Sequence, residues 1–143
     1  MDMLHDIPEQ REQLSSIKSD SLEVRTSLIP GAGNGLFALK DYEPNDILCE
    51  YTGSRLTLLQ TMRLKDKTYL MGGFGLNCHI DAKDHPEVLA RYINDARDEA
   101  RQNAKFVKLK VAKKAQVVAI QPIKAGDEIY ASYGPVYWRY RDL

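Results

Sequence analysis

The densest group of residues able to do chemistry lies near the C-terminus. Within residues 128–138 the chain carries four aromatic side chains, namely Tyr130, Tyr133, Tyr137 and Trp138. Aromatic faces attract ammonium groups, and a tyrosine hydroxyl with a pKa of ~10 is a neutral hydrogen-bond donor at pH 7. On its own, such a cluster is more typical of a hydrophobic core than of an active site.

A glycine-rich segment at residues 30–35 offers a second candidate site. Gly33, Gly35 and Ala38 fit the G-x-G-x-x-G/A spacing of a dinucleotide-binding turn. That turn works only where it opens a helix whose N-terminus receives the pyrophosphate. Here Pro44 follows before a useful helix can form, and no Gly-Lys-Ser/Thr follows the glycines. The sequence therefore argues against phosphate binding at this loop.

Four short blocks, taken together, are more specific than either cluster. They are GAGNGLFA at 31–38, EYTG at 50–53, RYIND at 91–95 and GDEIYASYG at 126–134. In order and approximate spacing they resemble the SET-domain protein-lysine methyltransferase family, over most of the chain. The region after RYIND resembles the PR branch of that family, because Asp95 stands where the usual pattern has histidine. The cysteine-rich zinc modules that flank many SET domains are missing, which predicts a stand-alone SET core without a metal site.

The resemblance implies S-adenosyl-L-methionine as the methyl donor and a lysine-containing protein or peptide as the substrate, with histone tails leading by analogy. It makes Tyr133 the catalytic tyrosine and Tyr69 a candidate wall of the substrate-lysine channel. Ala131 lies where many members carry Phe or Tyr, and its small side chain predicts room for di- or trimethylation. The candidate cofactor-binding residues are Ala32, Gly33, Asn34, Gly35, Tyr51, Arg91, Asn94, Asp95 and Trp138.

The contacts implied for the cofactor differ in kind. The backbone of residues 32–35 would approach the cofactor closely, which the glycines allow because they have no side chain. Asn94 and Asp95 would form hydrogen bonds to its amino-acid or adenosine portion. Arg91 would pair with its carboxylate, or else form a salt link within the protein. Trp138 would stack on the adenine ring.

The elements that must position these residues are short. Alternating polarity predicts strands within 22–28, 47–51, 69–81, 105–120 and 128–133. Helical spacing predicts a helix over 54–68 and a shorter one over 86–94. Residues 1–20 would form a polar extension, either frayed or helical, and residues 21–143 the SET domain. The predicted class is mostly β with short helices (α+β), and the resemblance implies a SET-type β-clip fold of small sheets with a knot-like C-terminal threading.

Composition excludes several other classes. The 143 residues form one ordinary domain, with 43% hydrophobic and 28% charged residues. The formal net charge of +0 argues against a strong grip on nucleic acid or on an anionic membrane, although a local basic patch lies around residues 105–114. No apolar run approaches the ~20 residues of a membrane span, and the first residues do not resemble a secretion signal.

The two cysteines of the chain bear on its expected location in the cell. Cys49 and Cys78 are predicted to be free thiols in a reducing compartment, with a disulfide as the less favoured alternative. The expected location is intracellular, nuclear or cytoplasmic, and the oligomeric state stays open. Two other functions are considered: a degenerate SET/PR-like domain that binds peptides without turnover, and an unrelated small β-barrel binding protein.

Overall fold

Three small antiparallel sheets make up the computed structural model, which describes residues 19–75 and 77–141. The first sheet pairs β1 (Leu22–Thr26) with β2 (Asn34–Ala38). The second has the order β3 (Ile47–Tyr51), β8 (Lys114–Ala119), β7 (Ala104–Leu109). The third has the order β4 (Ser54–Leu56), β6 (His79–Asp81), β5 (Leu70–Met71). The helices are α1 (Leu58–Met62), the 3-10 helix η1 (Leu89–Tyr92) and α2 (Pro135–Arg141).

The strands form where alternation places apolar side chains on one face. In β1, Leu22 and Val24 are each 1% exposed, while the residues between and after them are polar. In β8, Val117 lies between two buried alanines of the same face. The two strands predicted within residues 105–120 are confirmed as the β7–β8 hairpin.

The helix predicted over residues 54–68 is wrong in its extent. Residues 54–56 form β4, and the helix begins only after Thr57. Thr57 accepts a hydrogen bond from the Gln60 backbone N–H, and the Gln60 side chain accepts one from the Thr57 backbone. The apolar residues that suggested a long buried helix are largely exposed, with Leu59 at 58% and Met62 at 67%. Their helical spacing therefore marks no core-facing stripe.

The short helix predicted over residues 86–94 exists as η1, a single 3-10 turn. Its residues Ala90, Arg91 and Tyr92 are buried, and the turn packs against β1, β2 and β3. The residues directly after η1 carry Asn94 and Asp95. Packing of this turn thus fixes the start of the segment that holds the predicted polar residues of the site.

Residues 128–133 do not form the strand predicted there. Instead, single bridges join Glu128 to Phe37, Tyr130 to Asn94 and Ala131 to Ala104, the last two in parallel orientation. The C-terminal segment thus passes between β2, the residues after η1, and β7. These small sheets and this threading agree with the SET-type β-clip predicted above, and among the described residues no sheet closes into a barrel.

The predicted extension at residues 1–20 lies almost entirely outside the described residues. Within 19–75 and 77–141, no helix is long and apolar enough to cross a membrane. Cys49 and Cys78 are free. Burial raises the pKa of the Cys49 thiol to about 12, which keeps it protonated and unreactive at neutral pH.

Candidate functional site

A cavity of about 1010 Å³ lies where the three sheets and the C-terminal helix meet. This volume is at the upper end of the range for small-molecule sites. Most of the predicted site residues line it, namely Ala32, Asn34, Tyr51, Tyr69, Arg91, Asn94, Asp95, Tyr133 and Trp138. Residues from five separate segments of the chain therefore converge on one concave surface.

Tyr133 lies in the wall of this cavity with its hydroxyl fixed. The hydroxyl donates a hydrogen bond to the backbone carbonyl of Ile93. Burial, followed by the nearby Tyr137 and Asp95, raises the pKa of Tyr133 well above its ordinary value. The phenol therefore stays protonated at physiological pH. Because its single proton is donated to the Ile93 carbonyl, the hydroxyl can orient a bound group only through its oxygen lone pairs.

Asp95 holds the C-terminal aromatic residues in place. Its Oδ2 accepts hydrogen bonds from the Tyr133 backbone N–H at 3.0 Å and from Trp138 Nε1 at 2.6 Å. Its Oδ1 accepts from the Arg97 backbone N–H at 2.8 Å and from Gln102 Nε2 at 2.5 Å. Four donors match the four lone-pair positions of a carboxylate. The cofactor-binding role predicted for Asp95 is thus at odds with its geometry, because all its acceptor capacity is used inside the protein.

The pKa of Asp95 reflects this saturation. Burial by itself would raise the pKa, but the hydrogen bonds from Tyr133, Trp138, Arg97 and Gln102 outweigh burial and lower the pKa below its ordinary value. The residue is therefore a carboxylate at every physiological pH. A histidine could not accept four hydrogen bonds in this way, so Asp95 replaces the usual family residue with a different kind of anchor.

Trp138 lies among groups that already contact its ring. The Arg97 guanidinium lies 4.0 Å from the ring centroid, and the Tyr133 ring stacks on Trp138 at 5.8 Å with an interplanar angle of 12°. Tyr137 meets both rings edge-on, at 4.6 Å from Tyr133 and 5.1 Å from Trp138. Stacking of Trp138 on an adenine would therefore require Arg97 or Tyr133 to share or leave a face.

Glu128 is a second buried carboxylate and anchors the glycine-containing loop. It is 3% exposed and accepts hydrogen bonds from the Ser27 hydroxyl at 2.7 Å, the Leu28 N–H at 2.7 Å and the Tyr130 hydroxyl at 2.9 Å. The Asn94 amide approaches it at 3.4 Å and donates to the Asn34 carbonyl at 2.9 Å. The amide group of Asn94 thus ties the loop to the C-terminal segment.

Three predicted residues do not line the cavity. A methyl group on Gly35 would lie 2.2 Å from Glu128 Oε2, so glycine is needed there to admit the carboxylate and not to admit a cofactor. Gly33 has a φ of 75°, which favours glycine for conformational reasons. Ala131 is 0% exposed and pairs with Ala104. Its effect on the number of methyl groups therefore stays a prediction.

Arg91 is engaged within the protein. It is 4% exposed, and its Nη1 donates to the carbonyls of Ala82 at 2.9 Å and Lys83 at 2.8 Å. Its guanidinium lies 4.2 Å from the centroid of the Tyr69 ring. The hydroxyl of Tyr51 in turn donates to the Tyr69 carbonyl. These contacts are with backbone carbonyls and an aromatic ring, and they hold the ring of Tyr69 in the cavity wall. The pairing of Arg91 with a cofactor carboxylate stays a prediction.

Comparison with known proteins agrees with this geometry. A family model described as the SET domain matches residues 33–134. The chain belongs to the SET-domain family. The methyltransferase domain of human PR domain-containing protein 2 superposes on it with a TM-score of 0.64 over 85% of this chain and 82% of that one, at 20% sequence identity. At this sequence identity the structural likeness is evidence for the fold alone. A comparison with curated protein sequences gives no match.

This SET domain contains site residues that the sequence reasoning did not select. Tyr137 and Lys108 line the cavity, and Ile93 supplies the carbonyl that binds the Tyr133 hydroxyl. Tyr137 stood in the aromatic cluster, one helical turn after Tyr133, and that spacing was a usable signal. The Ile93 carbonyl was not predictable, because a backbone acceptor leaves no trace in residue type.

The cavity fits S-adenosylmethionine in size and in character. Its aromatic wall suits an adenine or a sulfonium, and the positively charged Arg97 lies beside Trp138, where a carboxylate would be favoured. Gly31 and Ala32 also line the cavity. The side chains of Asp95 and Asn94 form hydrogen bonds within the protein and would hold the cofactor only indirectly, by fixing these walls.

Proposed function

We propose that this SET domain transfers a methyl group from S-adenosylmethionine to the side-chain amine of a lysine in a protein substrate. The observation that carries the proposal is the cavity wall in which a neutral Tyr133 hydroxyl, fixed on the Ile93 carbonyl, stands beside Tyr137, Tyr69 and Trp138. The family supplies the reaction class. Histone tails lead the candidate substrates only by analogy with the family.

The bound cofactor would supply an activated methyl group on a sulfonium, and the protein would supply alignment and an environment. An aromatic wall lowers the pKa of an entering lysine, because it stabilises the neutral amine over a desolvated ammonium. The same rings would hold a methylated ammonium through cation–π attraction. Since the Tyr133 phenol stays protonated, it would orient the reacting groups. Fixing two reactants in line can contribute an effective molarity of ~10⁵ M or more.

Replacing Tyr133 by phenylalanine tests the proposal. Calorimetric titration of the wild type should show saturable binding of both S-adenosylmethionine and S-adenosylhomocysteine. Mass spectrometry should detect methyl incorporation into lysine peptides or mixed histones. Tyr133→Phe should lower turnover by about 100-fold, the effect of removing one preorganised polar group beside the reacting atoms. Cofactor binding should stay within about threefold, because the ring stacking with Trp138 remains.

Tyr42→Phe is the matched control. The Tyr42 hydroxyl also donates to a backbone carbonyl, that of Ser21 at 3.1 Å, but the residue does not line the cavity. Turnover of this variant should match the wild type. Absence of cofactor binding by the wild type, with and without mixed histones, would sink the proposal. So would equal turnover in the two tyrosine variants.

A second candidate function is a degenerate domain that binds a peptide without turnover. One observation favours it, namely that the side chains of Asp95 and Asn94 are engaged inside the protein. In that case peptides would bind while S-adenosylmethionine would not, and Tyr133→Phe would change peptide affinity little.

The free thiols of Cys49 and Cys78 support the further proposal of an intracellular location.

A further inference from the structure

Lys108 projects into the same cavity from β7. Ala104, Phe106 and Lys108 alternate along this strand and share one face. Phe106 and Lys108 both line the cavity, and the Phe106 ring contacts the Tyr51 ring edge-on at 6.0 Å. Register pairing of Lys108 with Ala115 fixes its backbone. The Lys108 side chain therefore lies on the same face of β7 as Phe106, which contacts Tyr51.

The ammonium of Lys108 lies beside the glycine-containing turn that follows β5. A methyl group on Gly73 would lie 2.7 Å from its Nζ, and the Phe74 ring centroid lies 6.0 Å away. Within the described part of the chain, no carboxylate lies within 4.0 Å of this ammonium. Two other lysines of the hairpin do have partners, since Lys114 pairs with Glu50 at 2.8 Å and Lys113 donates to the Phe74 carbonyl at 2.8 Å.

The surroundings of Lys108 favour a negatively charged ligand. Desolvation lowers the pKa of its ammonium, a cost that a carboxylate at this position would offset. Residues 104–119 contain five lysines and no acidic residue. Of these five lysines, Lys108 lines the cavity. Its positive charge attracts acidic groups and disfavours basic ones there.

The position of Lys108 relative to β5 indicates where the ligand would come from. β5 (Leu70–Met71) is an edge strand, paired on one side with β6, and its other side is open within the described sheet. An extended peptide can add to such an edge. A peptide that added to this edge and continued past Gly72 and Gly73 would pass beside Lys108, because Gly73 lies next to the Lys108 ammonium.

We infer that Lys108 binds an acidic side chain of the substrate close to the lysine to be methylated. The inference rests on the proposed function for the identity of that lysine. Since an extended chain rises ~3.3 Å per residue, the acidic residue should lie within about three positions of the lysine. The substrate class is thus a protein segment in which lysine is flanked by aspartate or glutamate.

Peptide binding, measured by fluorescence anisotropy without cofactor turnover, tests this inference. The probes are labelled glycine/alanine peptides with one central lysine and a glutamate at one of the three positions on either side, each matched to a glutamine version. The wild type should bind the best glutamate peptide about fivefold more tightly than its glutamine version, the scale of a partly exposed ion pair. The preference should weaken in high salt.

Variants assign the preference to one side chain. Lys108→Met should abolish it, and Lys108→Glu should reverse it in favour of peptides with lysine in the flanking position. Lys105→Met is the matched control, because Lys105 lies on the opposite face of β7 and outside the cavity. That variant should keep the full preference. Reversal in Lys108→Glu separates lost recognition from lost folding.

Several outcomes would overturn the inference. One is equal binding of glutamate and glutamine peptides by the wild type, and another is a preference that survives Lys108→Met. Methylation of Lys108 itself, seen by mass spectrometry after incubation with S-adenosylmethionine, would make it an acceptor instead of a binding residue. A chain that prefers acidic peptides through Lys108 but incorporates no methyl group would refute the proposed function and leave the role of Lys108 in place.

Discussion

Asp95 and Glu128 are two carboxylates that each accept hydrogen bonds from four groups, yet they hold different parts of the molecule. Glu128 is 3% exposed and joins the segment of Ser27 and Leu28 to Tyr130. Asp95 is only partly buried, lines the cavity, and holds Trp138 and the backbone of Tyr133. The fold and the aromatic wall of the site therefore depend on two separate carboxylates, Glu128 and Asp95 respectively.

The largest effect is expected from Glu128→Gln. If the amide nitrogen replaces Oε1, it cannot accept from the Leu28 N–H; if it replaces Oε2, it cannot accept from the Asn94 amide. Water has no access to compensate, so we expect the free energy of unfolding to fall by about 3 kcal/mol. Chemical denaturation monitors this change. Turnover per folded molecule should stay within about threefold, because the aromatic residues keep their Asp95 contacts.

Glu99→Gln provides the control for loss of one acidic charge, since Glu99 is exposed. Its stability should be unchanged to within about 0.5 kcal/mol. A Glu128→Gln variant as stable as the control would show that Glu128 does not anchor the fold. A large loss of turnover at unchanged stability would show that Glu128 also supports the aromatic wall, so that the two carboxylates do not have separate roles.

The contrast between these anchors also explains what the sequence could and could not reveal. The β7–β8 hairpin was predictable, because its alternation and its turn are local. The resemblance assigned the aromatic cluster and the polar pair after η1 to one site, and both line the same cavity, while their roles stay predictions. The hydrogen bonds of Asp95 were not predictable, since they join residues up to 43 positions apart through the threading of the C-terminal segment.

The contacts of residues 128–131 and of Gly35 were likewise not predictable from the local sequence. The pattern of residues 128–133 indicates a strand, but their partners Phe37, Asn94 and Ala104 lie in three different elements, so no continuous ladder forms. The absence of a side chain at Gly35 suggested an approaching ligand, whereas the approaching group is Glu128. In both cases residue type identified a constraint, and only the tertiary contacts show which group imposes it.

A smaller loss of stability and a larger loss of activity are expected from Asp95→Asn. If the amide nitrogen replaces Oδ2, both the Tyr133 N–H and Trp138 Nε1 lose their acceptor. If it replaces Oδ1, the Arg97 N–H and Gln102 Nε2 lose theirs. Water can reach this partly exposed site, so stability should fall by about 1–2 kcal/mol. Turnover should fall about tenfold, because displaced aromatic residues align the reactants poorly.

Parallel thermal unfolding and turnover assays measure both quantities, with Asp127→Asn as the control. Asp127 is exposed, accepts one backbone hydrogen bond from Lys124 at 3.0 Å, and does not line the cavity. Its variant should keep wild-type turnover. If Asp95→Asn lost stability without losing turnover, the aromatic wall would not depend on this carboxylate.

The smallest effect concerns pH, and Trp138, the single tryptophan of the chain, reports it directly. The folded pKa of Asp95 is lower than its unfolded value of ~3.9. Its contribution to stability is therefore fully present above pH ~4 and is lost as the pH falls through the folded pKa. Trp138 emission should stay constant from pH 7 to pH 5 and change only in more acidic solution, when Nε1 loses its charged acceptor. Asp95→Asn should lack this acid-dependent step, and a wild-type transition above pH 5 would show that Asp95 is not the strongly hydrogen-bonded carboxylate on which the comparison with Glu128 depends.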